Sequence, residues 1–319
     1  MNHSADETRA SLANNLRYFI KWSLIALLIG GTGGLIGSLF SMGVSFATSF
    51  RMNHPNMLFF LPVSGILIVW LYHTFHEEGN RGTNMVIDAI SSTEKVTLAT
   101  GPLIFVSTVL THIAGGSSGR EGAALQLGGS LGNLFGNAIH LDEKDKKIAI
   151  MCGMSAVFSA LFGTPVAAAI FPLEVISIGV LYYAALVPCI FSSFIGVGIA
   201  RYLGIAGEHF TVLSIPAISV SSVGWIIFLS ALCAGVSIVF CLMLHGAEHT
   251  YRKIFPNPYV RILAASAIFI LLTLLIGTRD YCGSSMPLIE RSMEGEIGYE
   301  AFFLKMLFTA IALGAGFKG

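Results

Sequence analysis

Three long stretches of this chain carry almost no charge, and they leave it few ways to fold. Between Ile148 and Ala200 the only charged residue is Glu174. Between His209 and Ala247, and again between Ile262 and Thr278, there is no Asp, Glu, Lys or Arg. About 20 consecutive apolar residues suffice to cross the hydrocarbon core of a bilayer as a helix. Hydrocarbon offers no partner for backbone N–H and C=O groups, so such runs close their own hydrogen bonds as helices rather than as open strands. The rest of the composition agrees. Of 319 residues, 54% are hydrophobic and 11% charged, against about 25% charged in soluble domains. Too little charge remains to coat a water-facing surface. The 18 basic residues balance 18 acidic ones, so no excess of positive charge favours nucleic acid. The five cysteines (Cys152, Cys189, Cys233, Cys241 and Cys282) form no C-x-x-C pair and read as small buried hydrophobes.

The pattern predicts an all-α, polytopic membrane protein. Expected helices are Leu16–Phe50, Met57–Phe75, Thr83–Ser92, Val96–His112, Glu121–Ile139, Lys144–Phe162, Pro165–Ile178, Leu181–Tyr202, Val220–Tyr251, Pro258–Ile276, Ser284–Ser292 and Tyr299–Leu313. Residues 1–15 read as a polar tail, and the apolar segment after them is too long for a signal-peptide core. In the first helix Gly30, Gly31, Gly33, Gly34 and Gly37 would admit close neighbours. Several segments are too short to span, and Gly or Pro interrupts the apolar runs. Broken helices of this kind place helix ends inside transporters, where they bind ions. An internal echo supports two related halves. Gly82-Thr83-Asn84-Met85 resembles Gly283-Ser284-Ser285-Met286, and Gly119-Arg120-Glu121-Gly122 resembles Gly316-Phe317-Lys318-Gly319, in the same order and at similar spacing. The division expected is 16–204 for the first half and 205–319 for an incomplete second half, because no helix follows Gly319 as one follows Gly122. Such halves are often inverted across the membrane.

The most informative segment is Thr111–Ala123, where Ala114-Gly115-Gly116-Ser117-Ser118-Gly119 leads into an apolar helix. The first turn of a helix has unpaired N–H groups and partial positive charge, which suits it to anions. Glu121 stands where a bound anion would stand. Ionised, it substitutes for that anion; protonated, it loses the attraction and swings away. One carboxylate thereby gates an anion path and carries a proton, in keeping with the cost of an acid in an apolar chain. Arg120 reads as structural, a partner for a buried acid or a helix carbonyl.

The run G-R-E-G after G-G-S-S-G resembles the signature of the CLC channels and transporters, and the order of short and long helices is similar over the whole chain. The resemblance implies a fold of two inverted repeat halves with broken, re-entrant helices, and a homodimer with one pathway per subunit. It makes Glu121 the gating, proton-carrying residue. It assigns anion binding to Gly82, Thr83, Asn84 and Met85, to Gly119, Arg120, Gly122 and Ala123, and to Phe317, Lys318 and Gly319. Phe162–Phe171 and Tyr281-Cys282-Gly283 match family segments as well. Met85 in place of the chloride-type serine motif, Ala123 in place of proline, and Gly314–Gly319 resemble the fluoride-exporting branch. Glu174 matches the first of two paired acids on the inner proton path of chloride/proton exchangers, but Val175 occupies the second position. The implied function is fluoride export driven by protons across the plasma membrane, with no cofactor; a chloride channel or chloride/proton exchanger is the alternative within the fold. The resemblance also implies that a second-half anion helix and a central tyrosine would lie beyond Gly319.

Two other motifs compete. Gly116-Ser117-Ser118-Gly119 fits the G-x-S-G nucleophile motif of rhomboid-like intramembrane proteases, with His112, His245 or His249 as a candidate base. His245-Gly246-Ala247-Glu248-His249 fits the H-x-x-E-H zinc motif, and reads equally as the polar end of a long helix at the membrane surface.

Overall fold

The computed structural model describes residues 2–91, 96–175, 182–207, 217 and 219–319. Among them are twelve α-helices, two short 3-10 turns and no strand. The helices are α1 (Asn2–Asn53), α2 (Leu61–Thr74), α3 (Thr83–Ser91), α4 (Thr100–Ile113), α5 (Glu121–Ala138) and α6 (Glu143–Phe162). They continue with α7 (Pro165–Val175), α8 (Leu186–Tyr202), α9 (Val220–Ile254), α10 (Pro258–Ile276), α11 (Met286–Met293) and α12 (Glu300–Ala315). The backbone is helical from Asn2, so the polar N-terminal stretch extends α1 rather than preceding it. Ser92, Ile176–Ile178 and Leu181, expected at helix ends, lie outside the described residues. Among the described residues five helices are long and apolar enough to cross a membrane: Leu12–Asn53, Pro55–Thr74, Tyr183–Tyr202, Val220–Ile254 and Pro258–Ile276. At 1.5 Å per residue, the 35 residues of α9 reach about 52 Å, well beyond the ~30 Å hydrocarbon core.

Local chemistry explains where the chain turns. Asp142 caps α6 by accepting the Asp145 N–H at 2.8 Å, and Gly163 closes that helix in the left-handed region. Asn257 caps α10 through the Tyr259 N–H, with Pro258 in the first turn and left-handed Gly277 at the end.

The chain divides into two compact units. One comprises Met1–Gly43, Glu77–Phe105 and Glu121–Glu208; the other comprises Val44–His76, Val106–Arg120 and His209–Gly319. In the first unit α6 is central and packs against α5, α7 and α8. Its core gathers Trp22, Ile29, Val86, Leu125, Ile150, Met154 and Leu173. The glycines of α1 sort onto two faces. Gly30 and Gly34 press against Ser192, Ile195, Gly196 and Ile199 of α8, while Gly33 and Gly37 press against Ala156, Val157 and Ala160 of α6. Helix spacing of i, i+4 puts each pair on one face. Gly31 faces neither neighbour. Between α5 and α6 the approach is closer: Gly128 and Gly132 lie on the backbone of Ala149, Ile150, Gly153 and Met154. Only glycine lets backbones meet so closely.

In the second unit α12 packs against α9 and α10, and α10 against α2. Gly65 of α2 leaves room for Ile262 and Phe317, and Phe269 meets Phe308 edge to face at 4.9 Å. The internal echo has a backbone counterpart. Gly82 (φ 67°) precedes the 9-residue α3, and Gly283 (φ 65°) precedes the 8-residue α11. A side chain at either glycine would strain that left-handed turn.

Candidate functional site

In the first unit the starts of α3 and α5 lie together. Gly82 turns the chain into α3, and its N–H donates to Asn80 Oδ1 at 2.8 Å. The Asn80 amide in turn donates to Glu77 Oε2 at 3.2 Å. Glu77 is buried, and the Thr97 hydroxyl donates to its other oxygen. A buried carboxylate therefore fixes the turn that aims α3, at the far end of a two-bond relay. From α3, the Thr83 hydroxyl donates to the Gly122 carbonyl at 3.2 Å. The Gln126 amide reaches Gly122 O at 3.3 Å and Thr83 Oγ1 at 3.5 Å. Among the described residues the buried Gln126 Oε1 accepts no hydrogen bond.

Glu121 is the first residue of α5 and is exposed, whereas every residue from Ala123 to Gly132 is buried. The carboxylate thus sits at the open mouth of a helix whose middle turns are enclosed. Its position combines the first-turn N–H groups, with their partial positive charge, and access to water. Of the other sequence-predicted residues here, Ala123 is fully buried and Asn84 is exposed. The Met85 side chain joins the hydrophobic core, and its N–H donates to Gly82 O at 3.1 Å. Glu174 is exposed near the end of α7.

In the second unit the Gly/Ser loop before α5 meets the end of the chain. Ser117 and Ser118 are buried. Lys305 Nζ of α12 donates to Ser117 Oγ at 2.8 Å and to the carbonyls of Gly283 and Tyr281 at 2.5 and 3.4 Å. Thr309 Oγ1 lies 2.9 Å from the same serine oxygen. One ammonium thereby ties the loop before Gly119 to the turn before α11 by charge-assisted bonds, which are stronger than neutral ones. Gly283 N–H adds a bond to Gly115 O at 3.2 Å. Beyond α12, left-handed Gly316 turns the chain, and Phe317 buries its ring beside Gly65. The Lys318 N–H donates to Thr111 Oγ1 at 3.3 Å, and its ammonium lies 4.5 Å above the Tyr72 ring. Gly319 rests on Ser118 and on Gly119, whose carbonyl oxygen would be 2.8 Å from any added methyl. The unit thus brings Gly119 next to Gly319 and holds Lys318 nearby through Thr111.

The competing motifs resolve differently. The hydroxyl of Ser117 is engaged by Lys305 and Thr309. The Nδ1 of His112 donates to the Thr108 carbonyl at 2.8 Å. In the H-x-x-E-H segment, Glu248 pairs with Arg252 at 2.7 Å and His245 Nδ1 donates to the Cys241 carbonyl at 2.7 Å. Each side chain is used within its own helix, as at the polar end of a long span. Sequence reasoning missed Glu77, Asn80, Gln126, Lys305 and Thr309. For Lys305 a signal was present: it is the only charge between Ala301 and Phe317, and a charge inside an apolar helix marks a function or a fixed partner.

Known proteins share this arrangement. The family described as voltage gated chloride channel matches residues 64–319. A "chloride/fluoride channel protein" of Pseudomonas syringae is 29% identical over 95% of this chain and 69% of its own length. An "H(+)/Cl(-) exchange transporter ClcA" of Vibrio cholerae is 23% identical over 92% of this chain and 68% of its own. The crystal structure of a CLC-type fluoride/proton antiporter superposes with TM-score 0.88 at 30% identity, over 94% of this chain and 77% of that one. A slow cyanobacterial chloride/proton antiporter superposes with TM-score 0.76 over 93% and 74%; at 18% identity this speaks for the fold alone. Apolar spans, a carboxylate at the mouth of a buried helix and a family match over most of the sequence lead to one conclusion: this chain belongs to the voltage gated chloride channel (CLC) family of multi-pass membrane anion transporters.

Proposed function

We propose that the chain exchanges fluoride for protons, exporting fluoride from the cell across the plasma membrane, and that Glu121 is the group that couples the two. The observation that carries this reading is the place of Glu121, exposed at the first residue of a helix whose next turns are all buried. An ionised carboxylate and a halide both seek the first-turn N–H groups and their positive potential, and only one of them fits at a time. Anion arrival favours the displaced, protonated carboxyl; proton release returns the carboxylate to the helix mouth. Each visit of an anion is thereby tied to a proton taken from one side and given to the other. Residues proposed to bind the anion are Gly82, Thr83, Asn84 and Met85 on α3, Gly122 and Ala123 on α5, and Gly119, Arg120, Phe317, Lys318 and Gly319 in the second unit. In the structure the Met85 N–H is already bonded to Gly82 O, so its contribution would be packing beneath the α3 turn.

Fluoride rather than chloride is supported by the sequence of the α3 turn, which lacks the chloride-type serine, and by Val175 where an inner proton acid would stand. The likeness to a fluoride/proton antiporter, in both sequence and fold, is also greater than that to the chloride antiporter. A homodimer with one pathway per subunit is proposed on family grounds. The test is flux from liposomes loaded with fluoride or chloride. Fluoride should move faster than chloride and drag protons with it, and Glu121→Gln should end proton movement. Proton-driven fluoride uptake surviving in that variant would refute the assignment; chloride movement with coupled protons would instead favour the chloride-exchanger reading.

A further inference from the structure

Within the second unit, a cavity of about 250 Å³ opens beside the turn that precedes α11, lined by Arg51, Leu58, Gly115, Arg279, Cys282 and Ser285 among others. Its volume is several times that of a water molecule. Four observations describe its chemistry. First, the Nε–H of Arg51 is buried and has no partner among the described residues. Second, Ser285 is a residue of the cavity wall, only 5% exposed, and its hydroxyl also has no partner among the described residues. Third, Ser285 is the N-cap of α11, yet its side chain does not cap the helix. It is held in the left-handed region (φ 57°), and the Met286 N–H, at the first helical position, has no intrahelical acceptor. Fourth, among the described residues the one carboxylate on the wall, Asp280, is paired with Arg291 at 3.1 Å, so it is already committed and does not offset Arg51 and Arg279.

A buried polar atom without a partner is destabilising, and each such group calls for a water, an ion or another explanation. Both atoms here are donors, and they stand beside a helix start, which is a third source of positive potential. The backbone has been shaped to admit the guanidinium: a methyl on Gly283 would come within 3.0 Å of an Arg51 Nη, and one on Gly115 within 3.2 Å of Arg51 Cδ. The same two glycines join the cavity to the transport machinery, because Gly283 N–H donates to Gly115 O, in the loop that leads to Gly119.

We propose that this cavity is an anion-docking antechamber, in which Arg51, the Ser285 hydroxyl and the start of α11 hold a small monovalent anion with part of its water shell before it is passed on. The room for several waters suits an ion not yet stripped, and a guanidinium offers a planar fork of donors suited to such recognition. That the docked ion is the transported one rests on the reading of the chain as a fluoride transporter; the docking of an anion does not.

The experiment is initial-rate flux in liposomes as a function of anion concentration, offered from each face, with fluoride and with chloride, for the unaltered chain, Arg51→Gln, Arg51→Lys and Ser285→Ala. Arg51→Gln should raise the half-saturating concentration about five- to tenfold from one face, the scale of electrostatic concentration by a charged cleft. The effect should shrink as ionic strength rises. Arg51→Lys should restore most of it, and Ser285→Ala should cost about two- to threefold. Correct assembly of each variant is checked by size-exclusion profile and circular dichroism. A half-saturating concentration unchanged in Arg51→Gln, or raised equally by Gln and Lys with no salt dependence, overturns the proposal. Should the chain move chloride and not fluoride, the fluoride reading fails while a shifted chloride saturation curve still upholds the antechamber. If Arg51→Gln does not assemble, bromide anomalous scattering from crystals of the unaltered chain decides: a peak within reach of Arg51 and Ser285 supports the site, and its absence at saturating bromide overturns it.

Discussion

Replacing Gly132 with alanine tests the packing that carries Glu121. The added methyl would lie 2.6 Å from Ile150 Cα and 2.7 Å from the Ala149 carbonyl carbon, where ordinary contacts begin near 3.4 Å. The obstacle is backbone on both sides, so no rotamer change relieves it. Helices α5 and α6 must separate by about 1 Å. Forcing a methyl into a filled interior costs about 1–3 kcal/mol, and a gap of that size forfeits roughly a quarter to a half of each dispersion contact across the seam. Together these give about 2–4 kcal/mol, a large share of the ~5–15 kcal/mol by which proteins are stable. In a detergent melt followed by tryptophan fluorescence or circular dichroism, the midpoint should fall by about 5–15 °C. Two glycines serve as internal scales. At Gly136 the nearest atom is Lys146 Cγ at 3.1 Å, the stem of a flexible side chain, so alanine there should cost about 1 kcal/mol or less. At Gly31 nothing lies within 4 Å, and alanine should be neutral or stabilise by up to about 1 kcal/mol through helix propensity. A Gly132→Ala protein melting within about 2 °C of the unaltered one would show that α5 and α6 are not in backbone contact.

Other outcomes follow from single bonds. Asn80→Ala removes both the acceptor for the Gly82 N–H and a donor to buried Glu77; it should cost about 1–3 kcal/mol and lower fluoride flux, measured beside a melt. Ser117→Ala takes away the oxygen that Lys305 meets at 2.8 Å, so stability should fall by about 1.5–3 kcal/mol. Residual coupled flux in that variant would exclude Ser117 as a nucleophile, and complete loss in a well-folded protein would argue against transport as read here. Gly319→Ala places a methyl 2.8 Å from the Gly119 carbonyl oxygen and should slow flux, measured beside a melt.

The contrast between Gly31 and Gly132 marks the boundary between what the one-dimensional pattern specifies and what packing adds. Charge-free runs and Gly and Pro breaks were sufficient to predict nearly every described helix, because bilayer solvation and backbone hydrogen bonding act along the chain. They also led to Glu121 at a helix start, since a first-turn acid after a glycine loop is a local motif. The extension of α1 back to Asn2 was not legible, as its polar residues give no periodic apolar signal. Nor could spacing reveal that Glu77 holds the Gly82 turn through Asn80, that Lys305 reaches across some 190 residues of sequence to Ser117, or that Arg51 and Ser285 face one cavity. The sequence alone determined the solvent of this protein, its helices and the carboxylate that stands at the start of one of them. Tertiary structure decided which buried polar groups meet, because hydrogen bonds and backbone contacts act within about 3–4 Å in space, a distance to which separation along the chain is no guide.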